Sequence, residues 1–206
     1  MKIEFLLNDY MSEYSNCYGI LTDKTAIVID PGKYTDEIAR FLKENSDKSR
    51  LILITHAHYD HIGGAQELRA ETGVKIAIGK NDEFALSDNS YNLSGVCVPA
   101  LKPFKADYII EDEEEFTVGD VTVKAYEMSG HTLGSMCYYI DGCLFSGDVL
   151  FYETVGRVDF PGGSMQSMQM SLERIKWLFD DNTSVYSGHG QMTTIGHERK
   201  FNPYLR

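Results

Sequence analysis

Three of the six histidines in the chain fall within ITHAHYDHIGG, residues 54–64. His56, His58, Asp60 and His61 there offer three imidazoles and a carboxylate within six positions. Neutral imidazole nitrogen and carboxylate oxygen are both good ligands for zinc and similar divalent ions. Residues two apart at the end of an extended segment can point to the same side, so His56 and His58 can share a centre. Asp60 and His61, on the turn that follows, can reach the neighbouring space. Packed in a core, four such side chains would each need a polar partner. On a loop they could be a solvated patch, so the rest of the chain has to decide.

The rest of the chain favours a site. His131 lies in SGHTLGS, His189 in SGHG, and Asp148 in FSGDVLF at the end of an apolar run. Each falls where a strand gives way to a turn, the usual station of functional side chains on a rigid scaffold. His197, in TIGHERKF, reads instead as a surface residue of a polar helix.

These positions presuppose strands that deliver them. Residues 3–7, 17–21, TAIVID (25–30) and LILIT (51–55) read as strands, the last two nearly continuous in apolar residues and therefore buried. Thr35 can cap a helix carrying Ile38, Phe41 and Leu42. A helix near 65–72 and the strand VKIAIG follow. EFTVGDVTVKAYEM and MCYYIDGCLFSGD read as hairpins around Gly119-Asp120 and Asp141-Gly142. Leu172, Ile175, Leu178 and Phe179 mark an amphipathic helix, and SVYSGHG a last short strand. Residues 87–107 show no period, and a loop of that length in a compact domain is usually either functional or a misread element. The order indicates an α/β fold with hairpins and a single domain over 1–206.

Composition narrows the function. Thirty-one acidic against nineteen basic residues give a formal charge of −12, which disfavours nucleic acid and anionic membrane as partners. No run approaches the roughly 18 apolar residues of a spanning helix. The N-terminus reads as a strand rather than a signal peptide. Cys17, Cys97, Cys137 and Cys143 have no paired spacing and read as small buried residues in a reducing compartment. A soluble cytoplasmic protein is expected.

THAHYDHIGG resembles the HxHxDH signature of the metallo-β-lactamase fold superfamily, and GHTLGS, SGD and GHG follow in that family's order. GRVDFPGG and the closing GHGQMTTIGHERKFNPYL resemble its short glyoxalase II-like, or hydroxyacylglutathione hydrolase-like, members. The resemblance implies a four-layer αββα sandwich with a metal site along one edge. It assigns His56, His58 and His131 to a first metal and Asp60, His61 and His189 to a second, with Asp148 bridging them. Asp30, in VIDPG, is given a role beside the site rather than on the metal. Seven such donors suit two divalent ions better than one. Nitrogen and oxygen ligation favours zinc, with iron or manganese also accepted. Two ions about 3.5–4 Å apart can share a hydroxide that attacks a carbonyl, and Asp60 can orient that hydroxide and handle its proton.

The resemblance therefore implies a metal-dependent hydrolase of an ester or thioester, with a small-molecule acyl substrate. Arg157 matches a position where glyoxalase II-like relatives carry a basic residue toward the thiol part, although it could instead pair with Asp159. Tyr152 could line the pocket or simply pack. Ser129 and Ser187 stand where relatives often have proline. The helical C-terminal domain that grips glutathione in glyoxalase II is not expected here. A mononuclear-iron persulfide dioxygenase is the alternative, and it would leave Asp60, His61 and His189 spare. A lactonase or β-lactamase is a third reading, made less attractive by the lack of a cysteine at a ligand position. A nuclease is opposed by the charge, and an inert module by the complete ligand set.

Overall fold

The run at residues 25–29 has no polar face, and in the structure it needs none. It lies in the middle of a molecule with helices on one side of it and a second sheet on the other. A computed structural model describes residues 1–8 and 14–205. The first sheet runs β1 (Lys2–Leu7), β2 (Cys17–Leu21), β3 (Thr25–Ile29), β4 (Ser49–Ile54), β5 (Lys75–Gly79) and β6 (Tyr108–Ile110), in that spatial order. β1 to β3 are antiparallel neighbours, and β3 to β6 are parallel. Helices α1 (Asp36–Glu44), α2 (Tyr59–Ile62) and α3 (Ala65–Thr72) lie within the parallel crossovers. Thr35 caps α1, its Oγ1 accepting from Ile38 N–H at 3.2 Å.

The second sheet contains β7 (Glu115–Val118), β8 (Val121–Glu127), β9 (Met136–Ile140) and β10 (Cys143–Gly147). After β10 the chain makes a small ribbon, β11 (Leu150–Phe151) with β12 (Thr154–Val155), and then helix α4 (Met165–Leu178). It re-enters the sheet as β13 (Ser184–Ser187), parallel to β10, and β14 (Thr193–Thr194), before α5 (Ile195–Phe201). The spatial order is β14-β13-β10-β9-β8-β7. Asp141 and Gly142 both have positive φ, as the tight turn of the β9–β10 hairpin requires.

Burial divides strictly by side-chain parity. In β3, Ala26 and Val28 pack with Ile38, Leu42 and Leu68 of α1 and α3. Ile27 and Ile29 pack with Val123, Tyr138 and Phe145 of the opposite sheet. Beneath the second sheet, Cys137, Leu144 and Val185 meet Met168, Leu172 and Ile175 of α4 and Ile195 of α5. Three cores between four layers are the expected αββα sandwich. Among the described residues no helix is long and apolar enough to cross a membrane.

Some local expectations shift. The buried face of α4 is Met168, Leu172 and Ile175, with Phe179 buried just beyond its end, whereas Leu178 is 42% exposed. The 3.6-residue period carries position 178 off that face. Residues 87–107 form no strand, holding only an isolated bridge between Ser94 and Val98. Cys17 and Cys137 are buried as expected, but Cys97 is exposed because it lies in that irregular segment.

Candidate metal centre

The site forms where the parallel strands of both sheets end. The carboxyl edge of such strands is the natural crevice of an α/β sheet. β3 ends at Asp30, β4 leads through Thr55 to His56, β10 leads to Asp148, and β13 leads to His189. His131 comes from the turn joining β8 to β9, so seven donors from two sheets converge.

They converge as two overlapping groups. His56, His58 and His131 bring one nitrogen each within 4.8 Å of one another, as Asp60, His61 and His189 do with their donor atoms. His58 Nδ1 lies 3.1 Å from His56 Nε2 and 2.9 Å from His131 Nε2. Tetrahedral zinc ligands at 2.0–2.1 Å sit about 3.3–3.4 Å apart, so this spacing is close to that of three ligands on one ion. In the second group His189 Nε2 lies 3.1 Å from Asp60 Oδ2, and His61 Nε2 lies 3.8 Å from it. Asp148 stands between the groups: Oδ1 is 3.3 Å from His61 Nε2, and Oδ2 is 3.4 Å from His131 Nε2 and 3.7 Å from His189 Nε2.

The surroundings fix which atoms face inward. Arg157 carbonyl accepts from His131 Nδ1 at 2.7 Å, leaving Nε2 as a lone pair toward the centre. Asp30 does the same for His61, accepting at Nδ1 over 2.9 Å. Asp30 itself, at a left-handed φ of 52°, accepts from Thr55 N–H at 2.7 Å and Thr55 Oγ1 at 2.6 Å. It therefore ties β3 to β4 and orients a ligand without reaching the centre. The arrangement leaves buried atoms orphaned: His61 Nε2, Asp148 Oδ1 and His58 Nε2 have no hydrogen-bond partner. The first two lie 3.3 Å apart with no other hydrogen-bond partner. A divalent cation taking the place of the His61 proton would be held by both, and the donor set fits such an ion.

Charge behaves accordingly. Burial, then the neighbouring His61 and His131, holds His56 well below the ordinary histidine value, and burial with His131 pushes His58 down to about 3. Burial works against a charged His61 as well, but Asp148, Asp30 and Asp60 outweigh it and raise its pKa well above normal. His189 is also raised, burial being overcome by its bond to Asp60 and by Asp148. Burial opposes ionised Asp148 and Asp60, yet His61 leads the neighbours that hold both below the usual carboxylate value. The carboxylates are thus ready as anions, and two of the imidazoles as neutral donors.

Packing here leaves no spare volume. A Cβ at Gly188 would lie 2.2 Å from Asp148 Oδ1 and 2.8 Å from His61 Cε1. Only glycine lets the strand pass behind the carboxylate.

A pocket of about 480 Å³ opens over the donors, lined by Tyr59, Leu93, Cys97, Phe151, Arg157 and Phe160 besides the ligand residues. Arg157 pairs with Asp159 and also lines the pocket. Its guanidinium forms a two-bond pair with Asp159, each bond 2.6 Å, and lies 3.9 Å over the Phe160 ring at the pocket wall. Tyr152 does not line the pocket; its ring stacks on His197 at 4.8 Å. Phe151, the last residue of β11, lines the pocket, whereas Tyr152 lies in the turn to β12 and packs on α5. His197 lies in α5, half-buried between Tyr152 and Phe201, with Nε2 3.0 Å from Glu153 Oε1. Phe151, Leu93 and Cys97 carry no local signal of their own; the segment 87–107 pointed toward Leu93 and Cys97, and the GRVDFPGG segment toward Phe160.

Known proteins share this organisation. Hydroxyacylglutathione hydrolase GloC of Haemophilus influenzae is 31% identical over 195 residues, covering 92% of this chain and 92% of that protein. The crystal structure of BLEG-1 B3 metallo-beta-lactamase superposes with a TM-score of 0.88 at 32% identity, over 99% of each chain. That of TTHA1623 in a di-iron-bound form gives a TM-score of 0.77 at 30% identity, over 93% of this chain and 95% of the other. With residues 12–189 matching its family pattern from the first sheet to the last donor, the chain belongs to the metallo-beta-lactamase superfamily.

Proposed function

We propose that the protein is a two-metal hydrolase of esters or thioesters, of hydroxyacylglutathione hydrolase type. One observation carries this reading. The chain closes a second donor group, Asp60, His61 and His189, beside the three-histidine group, with Asp148 within 3.7 Å of both. Two divalent ions, zinc by donor chemistry or iron or manganese, would supply a nucleophile from water near neutral pH and a Lewis acid at the carbonyl oxygen. The chain's own residues do the remainder. His56, His58 and His131, held neutral or oriented through Nδ1, bind on one side. Asp60, partly exposed at the pocket floor, accepts the proton of the attacking water on its free oxygen. Leu93, Phe151 and Phe160 give the acyl group an apolar, water-poor wall. Arg157, at the rim, meets the anionic end of a leaving thiol.

The relatives support the class: the Haemophilus protein is named a hydroxyacylglutathione hydrolase, and TTHA1623 holds two irons. The likeness to BLEG-1 makes β-lactam opening the second reading. Metal analysis of the purified protein, paired with a panel including S-lactoylglutathione and a β-lactam, tests both. Two metals per chain with thioester turnover is the expected result. One iron with oxygen uptake would replace this reading with a persulfide dioxygenase, and β-lactam turnover alone with the lactamase.

A further inference from the structure

Asp82 is a buried carboxylate that the reaction outlined above does not use. It is 2% exposed and sits in the 3-10 helix Lys80–Leu86, directly after β5. Among the described residues no cationic side chain forms an ion pair with it. It is instead satisfied by three donors: Ala57 N–H at 3.1 Å and Thr132 Oγ1 at 2.8 Å to Oδ2, and Gly134 N–H at 2.8 Å to Oδ1. Their origin is informative. Ala57 is the residue between His56 and His58, while Thr132 and Gly134 follow His131. All three donors belong to the two turns that carry the three-histidine group. None of the three lies in α2, which carries Asp60 and His61, or in the turn carrying His189. The approach is close, since a Cβ at Gly134 would lie 2.5 Å from Asp82 N.

The same segment grips the motif a second time. Asn92 carbonyl accepts from Tyr59 N–H at 2.8 Å, and Asn92 Nδ2 donates back to Ala85 carbonyl at 2.8 Å. The amides on both sides of His58 are therefore held by residues 82–92. A buried anion costs free energy unless its hydrogen bonds are complete, so these turns cannot drift apart without leaving the carboxylate unsatisfied. His56 and His58 come from the first sheet and His131 from the second, and Asp82 is the group that bonds to both turns at once.

We propose that Asp82 is a positioning residue for the three-histidine metal site, fixing the register between the His56–His58 turn and the His131 turn, and acting on that site selectively. This rests on the two-metal reading of the centre. Orientation through a second layer of hydrogen bonds is typically worth 10–100-fold in metal affinity. A residue serving fold stability alone would show no preference between the two sites.

The test is a cobalt(II) titration of chelator-treated full-length protein, read by visible absorption and chelator competition. His131→Ala and His189→Ala serve as references for loss of one site or the other. Asp82→Ala is expected to weaken the site lost in His131→Ala by about 10–100-fold, with the His189→Ala site changed less than about threefold. Asp82→Asn, whose amide opposes the Ala57 N–H, shifts the same site. Thr132→Val, which removes one bond and keeps the carboxylate, shifts it less and keeps the test decisive if the Asp82 variants do not fold. Equal weakening of both sites, or native affinity at both with only a lowered Tm, overturns the proposal. Two bound metals with no thioester turnover would overturn the proposed substrate class while leaving this inference standing.

Discussion

At the centre His131 is held by the Arg157 carbonyl and His61 by Asp30, and single-residue tests follow from the contacts there. Asp148 touches both donor groups, so Asp148→Asn should release one metal and lower turnover by more than about 100-fold; metal counting on the dialysed variant checks it, and full occupancy would contradict the bridging position. The titrations also predict a pH optimum of stability for the metal-free chain. His56 and His58 are held neutral, below the ordinary 6.5. An unfolded chain takes up those protons, so their contribution is lost as pH falls below 6.5. His61 and His189 are raised, so their contribution is full below 6.5 and is lost as pH rises through their folded values. Asp60 and Asp148, being lowered, weaken the fold only below 3.8. Stability of the chelated protein should therefore peak near pH 6.5 and fall on both sides. Denaturant midpoints from about pH 5 to about pH 9 read this out, and a steady climb across the range would refute it. The donors were legible in the sequence because type and spacing are local for His56 to His61, and because His131, Asp148 and His189 each sit beside glycine at a strand end. Asp82 was not legible. An aspartate in KNDEF looks like any polar turn residue, and its three donors lie 25 or more residues away in sequence. Tyr152 misled because the turn after β11 carries it onto His197 and away from the pocket.

At the level of elements, hydrophobic pattern was a good guide wherever both faces of a strand are buried. TAIVI and LILI stay apolar at successive positions because β3 and β4 each serve two cores. The Asp141-Gly142 turn was readable from its two positive-φ positions. The segment 87–107 was not, since its order comes from hydrogen bonds of Asn92 and Ser94 rather than from a period. The cores also make a prediction. Leu172 of α4 is 1% exposed in the core between the second sheet and α4, beside Ser171, whose Oγ donates to the Ser129 carbonyl in the turn carrying His131. Leu172→Ala should cost about 2–5 kcal/mol of unfolding free energy while leaving metal stoichiometry unchanged. Urea denaturation with metal analysis separates the two, and loss of metal at native stability would contradict the prediction.

Over the whole molecule, the centre joins two sheets that also meet through an apolar core and through hydrogen bonds such as Tyr138 Oη to the Ile54 carbonyl. Ions held by His56, His58, Asp60 and His61 on one side and His131, Asp148 and His189 on the other would bind the folded chain and not the unfolded one. Mass action then adds about 2.7 kcal/mol at a free metal concentration one hundred times Kd. Removing metal with a chelator should lower Tm by several degrees, and restoring it should recover the loss; an unchanged Tm would argue that the sheets do not share the ions.

The order of those donors along the chain also has a consequence in time. His56 to His61 leave the ribosome early, within the first sheet, whereas His189 follows β13 near the close of the second. At roughly 5–20 residues per second, on the order of ten seconds separates the first donor from the last. Until His131 follows, the growing chain displays a dense imidazole cluster with no third histidine to close its first group. The second group waits longer, for His189, so a chain stopped before Ser184 should bind at most one metal firmly.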